Sequence, residues 1–523
     1  MSTMTAIRRF LQVGGLALAV ALGGATSASA FIFDLTLVAL LHEAQAEHAD
    51  QEEFYNLVVS GHGEEAFELA FEEGDELFET TFNALDGGGA NVGNGQRFTR
   101  VPRADLAGAG QWADHFPERA TGPNGQACNE CHRLPFDDGA GDVSGNVIRD
   151  PLHSASLGSF IQRNTPHVFA PGAIQVLAEE MTEDLHGDRN DAKALACAFG
   201  VGFKLLSAKG VSFGAITAVR THSNPCQVTF STSHVQGVDP DLVIRPFQWK
   251  GSVAFVRDFN RGASHNELGM QAVEITGDGV DGDGDGVVDE MTIGDQTALA
   301  VYLAAQPRPV SSLELNALGL ITPPLTADQI AAIGRGFTSF DQIGCDGCHR
   351  PLLRADDPVF SEPSQNANYR DATFPAGQDP IAELVDPAAA VTFDLTEDQP
   401  DNVIELPDGS EVHLGSFEKD SQGRAIVRLF GDLKRHNLGS GLAESIDEVG
   451  TGASTFLTEN LWGVGSTAPY MHDGRATTLT EAILEHGGEA SSSRQTFQNL
   501  NTGKKRDVIA FLESLVLFKQ EEE

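Results

Sequence analysis

Two short stretches of the sequence repeat one pattern, "CNECH" at 128–132 and "CDGCH" at 345–349. A pair of cysteines two residues apart, followed at once by a histidine, is the signature of covalently attached c-type haem. The spacing carries the chemistry. Thiols one helical turn apart each add to a vinyl group of the porphyrin, and the adjacent imidazole reaches the iron from the same face. Cys128, Cys131 and His132 are expected to hold one haem, and Cys345, Cys348 and His349 a second. A thiol redox pair does not need the histidine, so its presence in both copies speaks against that reading.

A second constellation is "DGDGDGVVDE", 281–290, in which Asp281, Asp283 and Asp285 alternate ahead of Gly286 and Asp289 follows. Carboxylates alternating around a glycine turn converge their oxygens on one hard cation, so calcium is expected here as a structural clamp. Thr292 stands where an EF-hand has its bidentate glutamate, and a solvated acidic turn is the competing reading. A third is "PYMHDGRATTLTEAILEH", 469–486, where two imidazoles bracket a helix-like stretch.

These groups need elements to position them. "LTADQIAAIGRGFTSFDQIGCDGCH" opens with Thr326 as an N-cap and spaces its apolar residues for a helix that runs into the second attachment motif. "RDVIAFLESLVLF" near the C-terminus reads as an amphipathic closing helix, and "DQTALAVYLAAQ" closes the first copy just before the proline-marked linker "PRPVSSLELNALGLITPP". The expected fold is mainly α: two cytochrome c-like helical domains, each with one covalent haem, plus an N-terminal helical extension and long loops. The expected divisions are an extension over 31–104, a first haem domain over 105–307, a linker over 308–323 and a second haem domain over 324–523.

Arg8 and Arg9 precede an apolar run from Phe10 to Ala25, and Ala28-Ser29-Ala30 offers small residues to a peptidase. Residues 1–30 are therefore expected to be a removed export signal, which places the protein in the periplasm or outside the cell. The competing reading is a membrane anchor, but four glycines break the run and it falls short of the ~20 residues a bilayer needs. No later stretch could span a membrane. Cys197 and Cys226 are the cysteines left over, and a disulfide between them is compatible with export.

The chain balances 34 basic against 75 acidic residues, a net of -41, and residues 1–30 contribute two arginines and no acid. That excess argues against nucleic acid or anionic lipid as partners. It suits a small basic redox protein, and equally an acidic surface adapted to salty surroundings.

Taken with these motifs, the stretches "FNALDGGGANVGNGQRFTRVPR" and "APYMHDGRATTLTEAILEHGGEA" resemble the di-haem cytochrome c peroxidases, and specifically the bacterial di-haem oxidoreductase (peroxidase) family. In that family the segment after "PYxHDG" leads through a "TLxEA" helix to the distal ligand of the C-terminal haem, usually a methionine. The same interval from His472 ends at His486, so the resemblance implies His486 opposite His349 on that iron; the alternative is a helix-capping residue before Gly487-Gly488. Met471 falls on an aromatic position of the family. A second imidazole in place of a thioether lowers a haem potential, so this haem is expected to be a relay.

The resemblance makes the N-terminal haem the reaction centre. In "RPFQWKGSVAFVRDFNRGASHNELGM", Trp249 matches the family's tryptophan between the haems and Glu267 its pocket glutamate, while Phe259 stands in place of a glutamine. Glu267 is implied to move a proton between the oxygens of peroxide, with His265 as helper; a surface glutamate and a core tryptophan are the bland readings. A removable distal ligand is implied as His153 in "IRDPLHSAS" or His167 in "RNTPHVF", and His436 in "KRHNLGSG" matches a recurring position without a role. The expected function is an exported di-haem peroxidase that reduces hydrogen peroxide with electrons from a small donor, a cytochrome c or cupredoxin. Two alternatives stand beside it: an oxidase or oxygenase acting on a protein or organic substrate, toward which Phe259 and His486 lean, and a two-haem electron carrier.

Overall fold

The structure is a computed structural model, and it describes residues 45–83, 85–88, 124–141, 146–149, 160–282, 286–406 and 409–520. Residues 1–30, expected as an export signal, and His153, Asp283 and Asp285 lie outside the described residues. The chain divides into Met1–Gln45 and Ala46–Glu523, and the fold is that of the second unit.

Side-chain caps start several of the helices. Asp50 accepts the N–H of Glu52 and opens α1 (Gln51–Val59), which leads into α2 (Gly63–Glu79). After α3 (Pro171–Phe199) and α4 (Val256–Ala263), Thr292 and Asp295 close a capping box at the head of α5 (Ile293–Ala304). Thr326 and Gln329 do the same for α6 (Ala327–Gln342), as the sequence predicts, and Thr478 with Glu481 for α7 (Leu479–Glu485). Asn501 caps α8 (Thr502–Glu513), the expected closing helix.

Two helix pairs cross at direct backbone contact. Gly74 of α2 lies against the carbonyl of Ala298 in α5, and Gly336 of α6 against the carbonyl of Asp507 in α8. A Cβ at either glycine would overlap the facing backbone, so each crossing requires glycine. Arg335 flanks the second crossing with two bonds to Asp507, 2.8 and 2.9 Å. The partner of α5 is thus a helix of the N-terminal extension.

The mainly α expectation is overturned by strands. Among the described residues there are sixteen of them, in seven small antiparallel sheets. Most have two to four residues, too short for a period-two alternation to stand out in a sequence. The long sheet is β1 (Val201–Ala208), β2 (Val211–Ser223) and β3 (Cys226–Val235), with Val201 opposite Val219 and Ser223 opposite Cys226. Lys209 and Gly210 both take positive φ, the primed turn that matches strand twist, so β1 and β2 form a tight hairpin. The Cys197–Cys226 disulfide ties the end of α3 to β3, Cα–Cα 5.9 Å.

Two main cores result. One gathers Phe67, Phe78, Leu177, Met181 and Tyr302 with Phe360, Phe393 and Leu429, and so joins residues from both sides of the 308–323 linker. The other gathers Ile333, Phe340, Phe430, Val508, Phe511 and Leu512 around the second crossing. Each such side chain contributes about 1.5–3 kcal/mol by leaving water. Among the described residues no helix is long and apolar enough to cross a membrane.

Candidate functional site

Both attachment motifs fold into one tight turn. Cys128–Glu130 and Cys345–Gly347 are single 3-10 turns, and the N–H of His132 and of His349 donates to the carbonyl of Cys128 (3.1 Å) and of Cys345 (2.9 Å). Each turn sets its second cysteine and its histidine in the wall of a cavity, ≈ 400 Å³ for the first and ≈ 440 Å³ for the second. Burial pushes the thiols of Cys128 and Cys345 up to about 12. A thiolate is therefore disfavoured at both, which suits neutral thioethers and not a reactive dithiol.

In the second cavity His349 and His486 face each other, ring centres 6.3 Å apart and planes at 65°. Nδ1–H of His349 donates to the carbonyl of Phe430 (3.2 Å) and that of His486 to the carbonyl of Ala482 (2.7 Å). Those bonds fix the tautomer and leave each Nε2 its lone pair. Burial pushes His349 down to about 4 and His486 down as well, so both are neutral, the form that binds metal. A metal–imidazole bond is about 2 Å long, so two rings gripping one ion stand about 6 Å apart, as these do. His486 is also the C-cap of α7, so the capping role and the cavity-facing role coincide. Met471, held at φ 73°, lines the same cavity.

The first cavity brings together Cys131, His132, Trp249, Phe259 and Glu267. His132 is pushed down to about 4 by burial, partly offset by the carbonyls of Gly139 and Pro166, and its Nδ1 makes no hydrogen bond of normal geometry. Glu267 sits on a π-turn, Ser264–Leu268, that prolongs α4 and ends at Gly269 in the left-handed region. Asn124 orients it: its Nδ2 donates to Glu267 Oε2 (2.7 Å) and its backbone N–H to the Glu267 carbonyl (2.8 Å). Such turns re-aim one side chain out of a helix, commonly at functional sites. His265, on the same turn, is not among the residues lining this cavity.

Trp249 lines both cavities. Its Nε1–H donates to the carbonyl of Asn164 (2.8 Å), and its ring meets the edge of His472 at 6.5 Å. His472 stacks on Phe456 at 4.4 Å and is pushed down to about 4 by burial. His167 also lines both cavities, but its nitrogens are used: Nδ1 accepts from the N–H of Phe169 (3.2 Å) and Nε2–H donates to the carbonyl of Trp462 (3.1 Å).

His436 acquires a setting that its sequence neighbourhood does not reveal. Its ring nitrogens contact Asp432 and Glu489, each at 2.9 Å, and Nδ1 lies 3.8 Å from Cys348 Sγ. Burial works against its charge, yet the bonds to Asp432 and Cys348 outweigh it and push the imidazole up to about 11. The signal was hard to find, because Glu489 lies 53 residues downstream. In the acidic loop, Asp281 accepts the N–H of Gly286 (3.0 Å) and Asp289 that of Gly279 (2.7 Å).

Two cavities, each bordered by a C-x-x-C-H turn and both lined by Trp249, fit the residues that two haems would need. The family follows from comparison with known proteins. Residues 418–515, which include His436, Met471, His472 and His486, match the family described as "Di-haem oxidoreductase, putative peroxidase". A crystal structure of a MauG-like protein associated with microbial copper homeostasis is similar at 17% identity and a TM-score of 0.25, over 51% of this chain and 68% of that chain. No curated protein matches the chain.

Proposed function

We propose that this protein is an exported peroxidase with two covalent c-type haems, held by Cys128, Cys131 and His132 and by Cys345, Cys348 and His349. Hydrogen peroxide is reduced to two water molecules by two protons and two electrons, the electrons coming from a small donor protein such as a cytochrome c or cupredoxin. The observation that carries this reading is that His132, Trp249 and Glu267 line one cavity, and Trp249 also lines the cavity that holds the facing pair His349 and His486. When bound, haem supplies the iron on which the oxygen–oxygen bond is cleaved. Glu267 takes the proton of the near oxygen and returns it to the far one, so the leaving group departs as water and not hydroxide. Asn124 holds the carboxylate in place for that transfer. His349 and His486 would together hold the second haem, which would pass electrons on to the first.

Both nitrogens of His167 are engaged by backbone groups, so His167 would not be available as a second ligand to a haem held by His132, which favours the enzyme reading over the electron carrier. Phe259 in the first cavity keeps an oxidase acting on an organic substrate as the second reading. Calcium at the Asp281–Asp289 loop remains part of the proposal as a structural clamp.

The test is electron paramagnetic resonance of the fully oxidised and the one-electron-reduced holoprotein, with peroxide added to each. A high-spin ferric signal in either state that peroxide abolishes is the expected result. Two low-spin haems indifferent to peroxide would overturn the enzyme reading.

A further inference from the structure

The two cavities meet at a wall built from two chain segments. Residues 164–167 form one, pinned where the N–H of Asn164 donates to the carbonyl of His472 (2.8 Å) and Trp249 donates to the carbonyl of Asn164. Residues 457–462 form the other. The N–H of Leu457 donates to the carbonyl of Trp249 (2.9 Å), that of Thr458 to Lys434 (3.0 Å) and that of Leu461 to Leu429 (3.1 Å), while Trp462 accepts from His167. Glu459, in the middle of this second segment, lines both cavities.

Its carboxyl is an oddity. The residue is half-buried and lines both cavities. Among the described residues neither a hydrogen bond nor a neighbouring charge acts on it, and burial pushes it up to about 7. The groups around it explain why none intervenes. On the shared wall, His167 is held neutral by burial. In the first cavity His132 is neutral, Arg163 is paired with Glu444 and Glu448, Lys250 donates to the carbonyl of Gly452 (2.7 Å), and Glu267 accepts from Asn124. In the second, His349, His472 and His486 are all pushed toward the neutral form, His436 is clamped with Glu489, and Arg494 lines the cavity with its charge acting on His486.

We propose that Glu459 is a redox-linked proton site: a carboxyl, shared by the walls of both cofactor cavities, that takes one proton from solvent when an electron reaches either centre and releases it when that electron leaves. The inference rests on the two-haem reading. Its physical basis is that an added electron raises the cost of a nearby carboxylate, and in an enclosed site water does little to screen the pair. Charge then balances within the wall, one proton for one electron. Neither attachment motif nor Glu267 takes part in this step.

The experiment is a spectroelectrochemical titration of the holoprotein and of Glu459→Gln and Glu459→Asp at several pH values from 5.5 to 8.5. Two covalent haems are first verified from the reduced spectrum after acid extraction; their absence would sink the two-haem reading itself and with it this inference. In the wild type the reduction equilibrium of at least one haem is expected to weaken up to tenfold per pH unit around neutrality, about 59 mV. In E459Q that dependence should flatten, and in E459D it should persist. An equal slope in E459Q and wild type would assign the proton to another group and overturn the proposal, as would a wild type with no slope. Should the variants fail to fold, the redox-difference infrared spectrum of the wild type decides, since a protonating carboxyl must add a carbonyl band on reduction and its absence refutes the site.

Discussion

His349 and His486 present their rings to each other across one cavity, 6.3 Å between centres, each with its Nδ1–H anchored on a backbone carbonyl. Such a pair is spaced to grip one metal ion, and in the proposed function it would serve the second centre as a relay.

Replacing His486 with Gly should therefore convert one low-spin haem to high-spin while leaving the other unchanged. Electron paramagnetic resonance reads this directly. His486→Met should stay low-spin and raise the potential of that haem, because a thioether favours the reduced iron more than imidazole does. An unaltered spectrum in the glycine variant would mean that another residue holds the position.

Glu267→Gln keeps the size of the side chain and its bond to Asn124 but removes its basicity. Peroxide turnover should fall by roughly 10²–10⁴, the usual contribution of a general acid–base group. Haem content and reduced absorption spectrum should not change. Full activity in this variant removes Glu267 from the mechanism.

His436 makes a pH prediction. The buried Asp432 beside it holds its folded-state pKa above the ordinary histidine value of 6.5. Above that value the folded chain keeps a proton that the unfolded chain lacks, so the stabilisation is complete below about pH 6.5 and drains away as pH rises through the raised folded value. Urea denaturation from pH 6 to 10 should show falling stability in the wild type and a shallower fall in His436→Gln. At pH 7 that variant should lose about 3 kcal/mol, since it leaves Asp432 buried without its cation.

Two glycines on α6 separate packing from propensity. Gly336→Ala drives a Cβ into the backbone of Asp507 and should cost roughly 1–3 kcal/mol. Gly334, two residues earlier, has open space where its Cβ would stand, so Gly334→Ala should stabilise the helix by about 1 kcal/mol. Thermal unfolding of the pair measures both signs.

Much of the site could be read from the sequence because covalent chemistry fixes local spacing. The two attachment turns, the Thr326 cap, the closing helices α5 and α8 and the pairing of Cys197 with Cys226 all rest on residues close together or on few candidates. What escaped is what tertiary contact decides. The hairpin at Lys209-Gly210 and the many two- to four-residue strands carry little pattern of their own. The setting of His436 depends on Glu489, and the importance of Glu459 depends on two cavities meeting, which no local motif announces.

The crossings at Gly74 and Gly336 are coupled unequally to the two attachment motifs. Each attachment motif belongs to a half of the chain in which a glycine-bearing helix lies backbone to backbone against a closing helix. In the later copy that helix runs almost directly into its motif, from Gln342 to Cys345, whereas in the earlier one it ends at Glu79, far ahead of Cys128. A shift of the helix at Gly336 is therefore carried along the chain to Cys345 within a few residues, whereas a shift at Gly74 reaches Cys128 only across packed side chains.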